Sequence, residues 1–274
     1  MNAVCRVDLV HIGSGVLRGP ELLRGQAFDE WCPIAFYVWL VRGPQGTALI
    51  DTGITADADW WDARAKQVRG PQAYWRATDD ADPTGALSGL GVAVSDIDHV
   101  VLTSFGPYAA SNITRFPQAT VHVSDAGLSE LRKPAYPELL PHLPPEARSF
   151  LACQDARIRR FSGQAEVMPG LQVREIGGHH RESLAVIITT AQGNLVIPES
   201  VFLPENLQPP NVLGIGENVY ELLDTVRWLN QLDAQVLPIH DPQHLTRFPG
   251  GLVAPAPVPR SRTGLVPPEH KEQP

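Results

Sequence analysis

The feature that most constrains the fold is a set of short apolar runs that occur in two separate groups along the chain. Each run is rich in Val, Ile, Leu and aromatic residues and is bounded by turn residues, which is the pattern of β-strands. The first group covers residues 4–12, 34–41, 47–50, 97–103 and 119–124, and the second covers 171–176, 184–190, 195–197 and 235–239. Helical patterns lie between them at 59–68, 125–132 and 219–232. Strands interrupted by helices, twice over, predict two packed sheets with helices outside.

Composition and charge exclude several functional classes. The chain has 274 residues, of which 43% are apolar and 19% are charged, so it can bury a core. The formal net charge is −8, and Lys and Arg form no cluster of the kind that nucleic-acid binding requires. No apolar stretch approaches the roughly 18–20 residues of a membrane span, and the N-terminus lacks the pattern of a signal peptide. The sequence therefore predicts a cytoplasmic protein with neither nucleic-acid nor membrane partners.

Proline and cysteine positions suggest the domain organisation. Residues 1–249 carry all the strand and helix patterns and predict one globular domain, whereas residues 250–274 are Pro-rich and polar and predict a disordered tail. Cys5, Cys32 and Cys153 are odd in number and widely spaced, so they match neither a disulfide framework nor a paired metal motif. A homodimer is one assembly that the sequence allows.

Five short motifs carry a family resemblance. They are the strand end at 48–53 (ALIDTG), the strand at 97–103 with Asn112 after it, the pair of glycines before His179, the strand at 193–197, and the segment 238–242 (PIHDP). In this order and spacing the motifs resemble the metallo-β-lactamase superfamily, and within it the N-acyl homoserine lactonase-like hydrolases. The resemblance implies an αββα sandwich with its site at one edge of the two sheets.

The motif that should hold two metal ions is degenerate. The superfamily has His-x-His-x-Asp-His after the 97–103 strand, whereas this chain has Ser104, Gly106, Tyr108 and Ala109 at the four ligand positions. Gly and Ala offer no donor atom, and a hydroxyl or phenol is a poor zinc ligand beside imidazole and carboxylate. The sequence therefore predicts that no dinuclear metal centre with its bridging hydroxide is formed.

The resemblance implies that three polar residues still converge, namely His179, Glu199 in place of the bridging aspartate, and His240. Two imidazoles and one carboxylate could hold a single divalent ion. Without a metal, Glu199 could orient either histidine as a general base. Neighbours on an extended strand alternate faces, so His180 is expected to point away from this cleft.

Two further residues are candidates whose roles stay open. Tyr108 could donate from its hydroxyl to a substrate oxygen, or its ring could fill the space that the metals leave. Ser104 could be a second donor, a nucleophile if a histidine reaches it, or a strand-end serine bonded to backbone.

Two functions follow from these alternatives. A general base contributes about 10²–10⁴-fold, which suits hydrolysis or proton transfer on a lactone, thioester or activated ester but not on an amide. The first function is therefore an atypical hydrolase-like enzyme acting on a small carbonyl compound, without metal or with one divalent ion. The second is a catalytically inactive relative that keeps the pocket to bind a small molecule or another protein.

Overall fold

The computed structural model describes residues 3–54, 58–78, 81–140 and 143–256, in which the chain forms thirteen strands and eight α-helices. The strands are β1 (Arg6–Arg18), β2 (Trp31–Gly43), β3 (Gly46–Ile50), β4 (Trp75–Ala77), β5 (His99–Val101), β6 (Thr120–Ser124), β7 (Ile158–Phe161), β8 (Gln164–Met168), β9 (Leu171–Glu175), β10 (Leu184–Thr190), β11 (Gly193–Pro198), β12 (Ala234–Val236) and β13 (Leu252–Ala254). The helices are α1 (Gly19–Leu22), α2 (Ala58–Arg69), α3 (Pro83–Gly89), α4 (Pro107–Ala110), α5 (Asp125–Arg132), α6 (Pro145–Ala152), α7 (Val219–Leu229) and α8 (His244–Arg247). Within the described ranges, no helix is long and apolar enough to cross a membrane.

The strands form two sheets, as their grouping in the sequence predicts. The first sheet has the order β13-β1-β2-β3-β5-β6-β7, with β4 paired to β1. The second has the order β12-β11-β10-β9-β8. The β2–β3 hairpin, the parallel β3–β5 and β5–β6 pairs and the antiparallel β9–β10–β11 meander all follow the predicted runs.

Strand β10 shows how the two sheets pack. Val186 and Ile188 join the large core that also contains strands of the first sheet. Ala185 and Ile187 point to the other face, where they belong to a smaller cluster with Leu229 of α7. Because side chains alternate along a strand, this split places one face of the second sheet against the first sheet and the other against a helix.

Asp51 fixes the end of β3 next to the loop that follows β5. Its carboxylate accepts hydrogen bonds from the backbone N–H of Thr103 at 2.8 Å and from the Thr103 hydroxyl at 2.7 Å. Burial raises the pKa of Asp51 to about 7, against the opposing effect of these bonds. Thr52 donates from its hydroxyl to the carbonyl of Ala109 at 2.7 Å, and Asn112 donates to the Thr52 carbonyl at 2.9 Å. These bonds hold residues 104–109 rigidly at one edge of the sheets.

The boundary predicted at residue 249 lies too early. Leu252–Ala254 forms β13, which pairs antiparallel with β1, and Ala254 is buried. Three residues are too short a run for the alternation of a strand to stand out in a Pro-rich sequence. The remainder of the predicted tail, residues 257–274, lies outside the described residues.

Removing β13 should therefore destabilise the domain. A chain ending at Gly251 loses the pairing with β1 and the buried Ala254, which amounts to about 1–2 kcal/mol. For a domain of this size the melting temperature should fall by about 2–8 °C relative to a chain ending at Ala256. Differential scanning calorimetry of the two truncated chains measures the difference. Equal melting temperatures would show that β13 contributes nothing to the fold.

Candidate functional site

A cavity of about 340 Å³ opens at the edge where the strand-end loops meet. Its walls come from β1, β2, α2, β4 and the loops that follow β5, β9, β11 and β12. The lining residues are Leu17, Ile34, Phe36, Trp61, Arg64, Ala65, Arg69, Trp75, Gly106, Pro107, Tyr108, His179, His180, Phe202, Ile215 and His240. Three histidines and a tyrosine thus share a largely apolar cavity.

Glu199 lies beneath this cavity and does not line it. It directly follows β11 and is fully buried. One carboxylate oxygen accepts a hydrogen bond from the Tyr108 hydroxyl at 2.7 Å, and the other accepts one from the Ser183 hydroxyl. The Nε2 atom of His179 lies 3.8 Å from the oxygen that Tyr108 contacts. Burial raises the pKa of Glu199, and the two hydroxyl donors oppose that rise.

The ring of Tyr108 occupies space next to the degenerate motif. A Cβ atom added to Gly106 would come within 2.8 Å of Cε1 and Cζ of Tyr108, closer than carbon atoms can approach. A larger side chain at position 106 is therefore incompatible with this ring position. The single hydroxyl proton of Tyr108 is donated to Glu199, so it is not directed at a substrate oxygen. Burial and the charge of Glu199 raise the pKa of Tyr108 well above 10.

His240 presents one free nitrogen from an apolar setting. Its Nδ1 atom donates to the carbonyl of Ala35 at 3.0 Å, which fixes the neutral tautomer with Nε2 as an acceptor. Nε2 is buried and has no hydrogen-bond partner among the described residues. The aromatic rings of Phe202, Tyr108 and Phe36 lie with their centroids 4.3, 4.8 and 5.2 Å from that of His240. Burial lowers the pKa of His240 to about 3.

His179 also has a buried nitrogen without a partner. Its Nδ1 atom lacks a well-formed hydrogen bond among the described residues, its Nε2 atom faces Glu199, and the ring also contacts the Ile215 backbone. Burial lowers the pKa of His179 well below its usual value, and the nearby His180 and His240 lower it further. Two neutral imidazoles, each with a buried nitrogen that lacks a partner among the described residues, therefore line the same cavity.

His180 lines the same cavity, so the expectation that it points away is wrong. Gly177 and Gly178 have φ of +57° and +86°, and this left-handed backbone starts a turn in which the alternation of a strand does not apply. Nδ1 of His180 lies 3.4 Å from a carboxylate oxygen of Glu217. Burial lowers the pKa of His180, but the bond to Glu217 and the charge of Glu199 outweigh it and raise the pKa to about 9.

Ser104 is not arranged as a nucleophile. It is fully buried, and its oxygen accepts a hydrogen bond from the backbone N–H of Gly106 at 3.1 Å. No histidine in the described part of the chain hydrogen-bonds its hydroxyl. The Ser104 side chain also hydrogen-bonds that of Tyr108, so this arrangement favours the strand-end serine among the predicted alternatives. By contrast, Ser183 contacts Glu199 directly and was not identified from the sequence, because nothing in its local pattern marks it.

The residues present do not fit a dinuclear metal centre. Positions 104, 106, 108 and 109 supply no imidazole or carboxylate, and the Tyr108 ring blocks any larger side chain at position 106.

A potential single-ion group in the described residues is His179, His180 and Glu199, whose donor atoms lie within 4.8 Å of one another. It contains His180 in place of the predicted His240. Both oxygens of Glu199 already accept hydroxyl protons, and His180 is paired with Glu217, so an ion would have to displace these bonds.

Comparison with known proteins establishes the fold. No family model and no curated protein matches the sequence. An N-acyl homoserine lactone hydrolase with N-hexanoyl-L-homoserine at its catalytic metal centre matches with a TM-score of 0.74 and 16% identity, over 90% of this chain and 97% of that chain.

Two further solved structures agree with this match. AidC, a dizinc quorum-quenching lactonase, matches with a TM-score of 0.67 and 14% identity, over 95% of this chain and 93% of that chain. The hydrolase AbOPH of the β-lactamase superfamily matches with a TM-score of 0.62 and 15% identity, over 94% of both chains. The chain therefore has the metallo-β-lactamase-like αββα fold that its motifs predict.

Metal content follows from the donor set. Protein purified without chelator should carry well under two equivalents of zinc, iron or manganese per chain, because residues 104, 106, 108 and 109 supply neither imidazole nor carboxylate. Elemental analysis measures this directly, with a dizinc lactonase purified in parallel as the positive control. Two tightly held ions per chain would contradict the expectation.

Acid stability should depend on His240. The unfolded imidazole has a pKa near 6.5 and the folded one near 3, so the unfolded state binds more protons between these values. The contribution of the neutral ring to stability is fully present above pH 6.5 and is lost as the pH falls toward 3. His240→Gln should therefore flatten the pH dependence of the unfolding free energy by up to about 1.4 kcal/mol per pH unit.

Urea unfolding at a series of pH values from 7 to 4 measures this slope. Leu237→Ala is the control, because Leu237 is fully buried and does not titrate. Its curve should run parallel to that of the wild type at lower stability. A His240→Gln curve that also stayed parallel would show that the ring titrates normally in the folded state.

Proposed function

We propose that the protein is a hydrolase-like enzyme that acts on a small, reactive carbonyl compound without a dinuclear metal centre. The observation that carries this proposal is the pair of buried, unpartnered nitrogens, His179 Nδ1 and His240 Nε2, at one cavity. Buried polar atoms without partners are rare and costly in folded proteins. At a cavity wall they are explained by a ligand or water that supplies the missing hydrogen-bond donors.

His240 is the proposed general base. Its Nε2 atom would accept a proton from water as the water oxygen bonds to the carbonyl carbon, and would return that proton to the leaving oxygen or sulfur. The bond from Nδ1 to the carbonyl of Ala35 keeps Nε2 free for this step. The products are an acid and an alcohol or thiol, so atoms and charge balance without a further reactant.

Glu199 and Tyr108 are proposed positioning residues. The Tyr108 ring packs at right angles to the His240 ring, and its hydroxyl is held by Glu199. The carboxylate also lies 3.8 Å from Nε2 of His179, where it would orient that neutral ring. His180, whose pKa is about 9, is the proposed donor to the oxygen of the reacting carbonyl.

The low basicity of His240 limits the substrate class. A base with a pKa of about 3 is always unprotonated near pH 7, but it accepts a proton weakly. A positioned base supplies only about 10²–10⁴-fold, which leaves amides and phosphodiesters out of reach. Lactones, thioesters and activated esters remain, and the structural neighbours named as lactone hydrolases support this class.

A binding protein without turnover is the second candidate. The observation that favours it is the position of Glu199, which is fully buried under Tyr108 and does not line the cavity. In that case His179 Nδ1 and His240 Nε2 would accept hydrogen bonds from a ligand that is released without chemical change.

Substitutions in the proposed machinery separate the two candidates. Purified protein should be assayed against lactones, thioesters and aryl esters, with and without added divalent metal. His240→Ala and Glu199→Gln should each abolish turnover with the fold intact. Tyr108→Phe should reduce turnover less than these two variants, because it removes one hydrogen bond to Glu199 and leaves the His240 ring unchanged.

The matched control is His122→Gln. His122 lies on β6, bonded to His99 at 3.2 Å and outside the cavity, so turnover should not change. Activity that survives all of the cavity substitutions would place the chemistry elsewhere. No turnover on any substrate, combined with tight binding of one of them, would establish the binding protein instead.

A further inference from the structure

Helix α2 turns one face toward the cavity, and that face carries charge. Trp61, Arg64, Ala65 and Arg69 line the cavity, at the i, i+3, i+4 and i+8 spacing of a single helix face. The face of a helix that covers an apolar cavity is ordinarily apolar itself. Two guanidinium groups on this face therefore need an explanation.

Only one of the cationic side chains at the cavity lacks an acidic partner in the described chain. Arg69 forms an ion pair with Glu21 at 2.7 Å, and His180 is paired with Glu217. Arg64 donates to the neutral amide of Gln67 at 3.0 Å and has no carboxylate within ion-pair distance among the described residues. None of the described lining residues is Asp or Glu. Among the residues that the structure describes, the cavity thus carries one positive charge without an acidic partner, on Arg64.

Arg64 also marks the opening of the cavity. It is the one exposed residue among those that line it within the described chain, whereas Phe36, Tyr108 and His240 are buried. Between these ends the wall is aromatic, because the ring of Trp75 lies 4.8 Å from that of Phe36 and 5.6 Å from that of Trp61. The cavity therefore runs from a cation at its mouth, past aromatic rings, to the open nitrogen of His240.

We infer that the cavity takes a small organic acid with a flat apolar body, whose carboxylate binds the Arg64 guanidinium. A single uncompensated cation matches a monoanion, and a guanidinium matches the planar carboxylate. The apolar body packs against the aromatic wall formed by Trp61, Trp75 and Phe36, which leaves the other end of the molecule at His240. Arg64 is thus a specificity-determining residue. The binding part of this inference is independent of the proposed function, whereas the turnover part rests on it.

A matched pair of probes tests the binding part. The affinities of 4-phenylbutyrate and its neutral amide, 4-phenylbutyramide, should be measured by calorimetry on the full-length protein. The wild type should bind the acid at least about fivefold more tightly than the amide, and added salt should reduce this preference. Arg64→Gln should reduce the preference to less than about twofold.

Lys66→Gln is the charge-matched control. Lys66 lies on the same helix, two residues from Arg64, and is paired with Asp62 on the surface. The acid preference should survive in this variant, because Lys66 does not line the cavity. The inference is overturned if the wild type binds acid and amide equally, if it binds no acid at millimolar concentration, or if Arg64→Gln keeps the preference.

The turnover part is tested with an anionic and a neutral aryl ester, mono-4-nitrophenyl glutarate and 4-nitrophenyl butyrate. Arg64→Gln should raise KM for the anionic ester by a larger factor than KM for the neutral ester. An acid preference in binding without any turnover would refute the proposed function and keep the inference. Turnover that depends on His240 but shows no acid preference would support the proposed function and refute the inference.

Discussion

The hydrogen bond from Tyr108 to Glu199 is the interaction on which the site depends. It joins the loop after the first-sheet strand β5 to the end of the second-sheet strand β11, across 91 positions of sequence. Both groups are buried, so removing either would leave a polar atom without a partner. The bond holds the Tyr108 ring against His240 and in the space beside Gly106. Together with the bond from the Leu184 N–H to the Thr103 carbonyl at 2.9 Å, it connects the two sheets at this edge.

The residues at positions 104, 106 and 108 fit one another in the folded structure. Gly106 has no side chain, and the structure shows that any Cβ there would meet the Tyr108 ring. Ser104 accepts a hydrogen bond from the backbone of Gly106 instead of facing the cavity. Gly106 and Tyr108 depend on each other, because the Tyr108 ring can occupy its position only when residue 106 has no side chain. The result is an apolar cavity with hydrogen-bonding groups at its base.

Much of the fold and part of the site could be predicted from the sequence. Strong local patterns located the β2–β3 hairpin, α5 and β10, and the family resemblance placed His179, Glu199 and His240 at one edge. The sequence could not predict that Ser183 bonds Glu199 or that Arg64 lines the cavity, because both residues reach the site only through tertiary packing. The direction of His180 was predicted wrongly, since the rule for strands fails in a turn made by Gly177 and Gly178.

A crystal structure of protein grown with excess zinc, with anomalous data collected at the zinc absorption edge, tests whether the Tyr108–Glu199 pair takes the place of a metal centre. We expect no pair of zinc peaks at the site and the Tyr108 hydroxyl at hydrogen-bond distance from Glu199. Two zinc ions in the cavity, with the Tyr108 ring rotated away from Gly106, would show instead that the pair gives way to a metal centre.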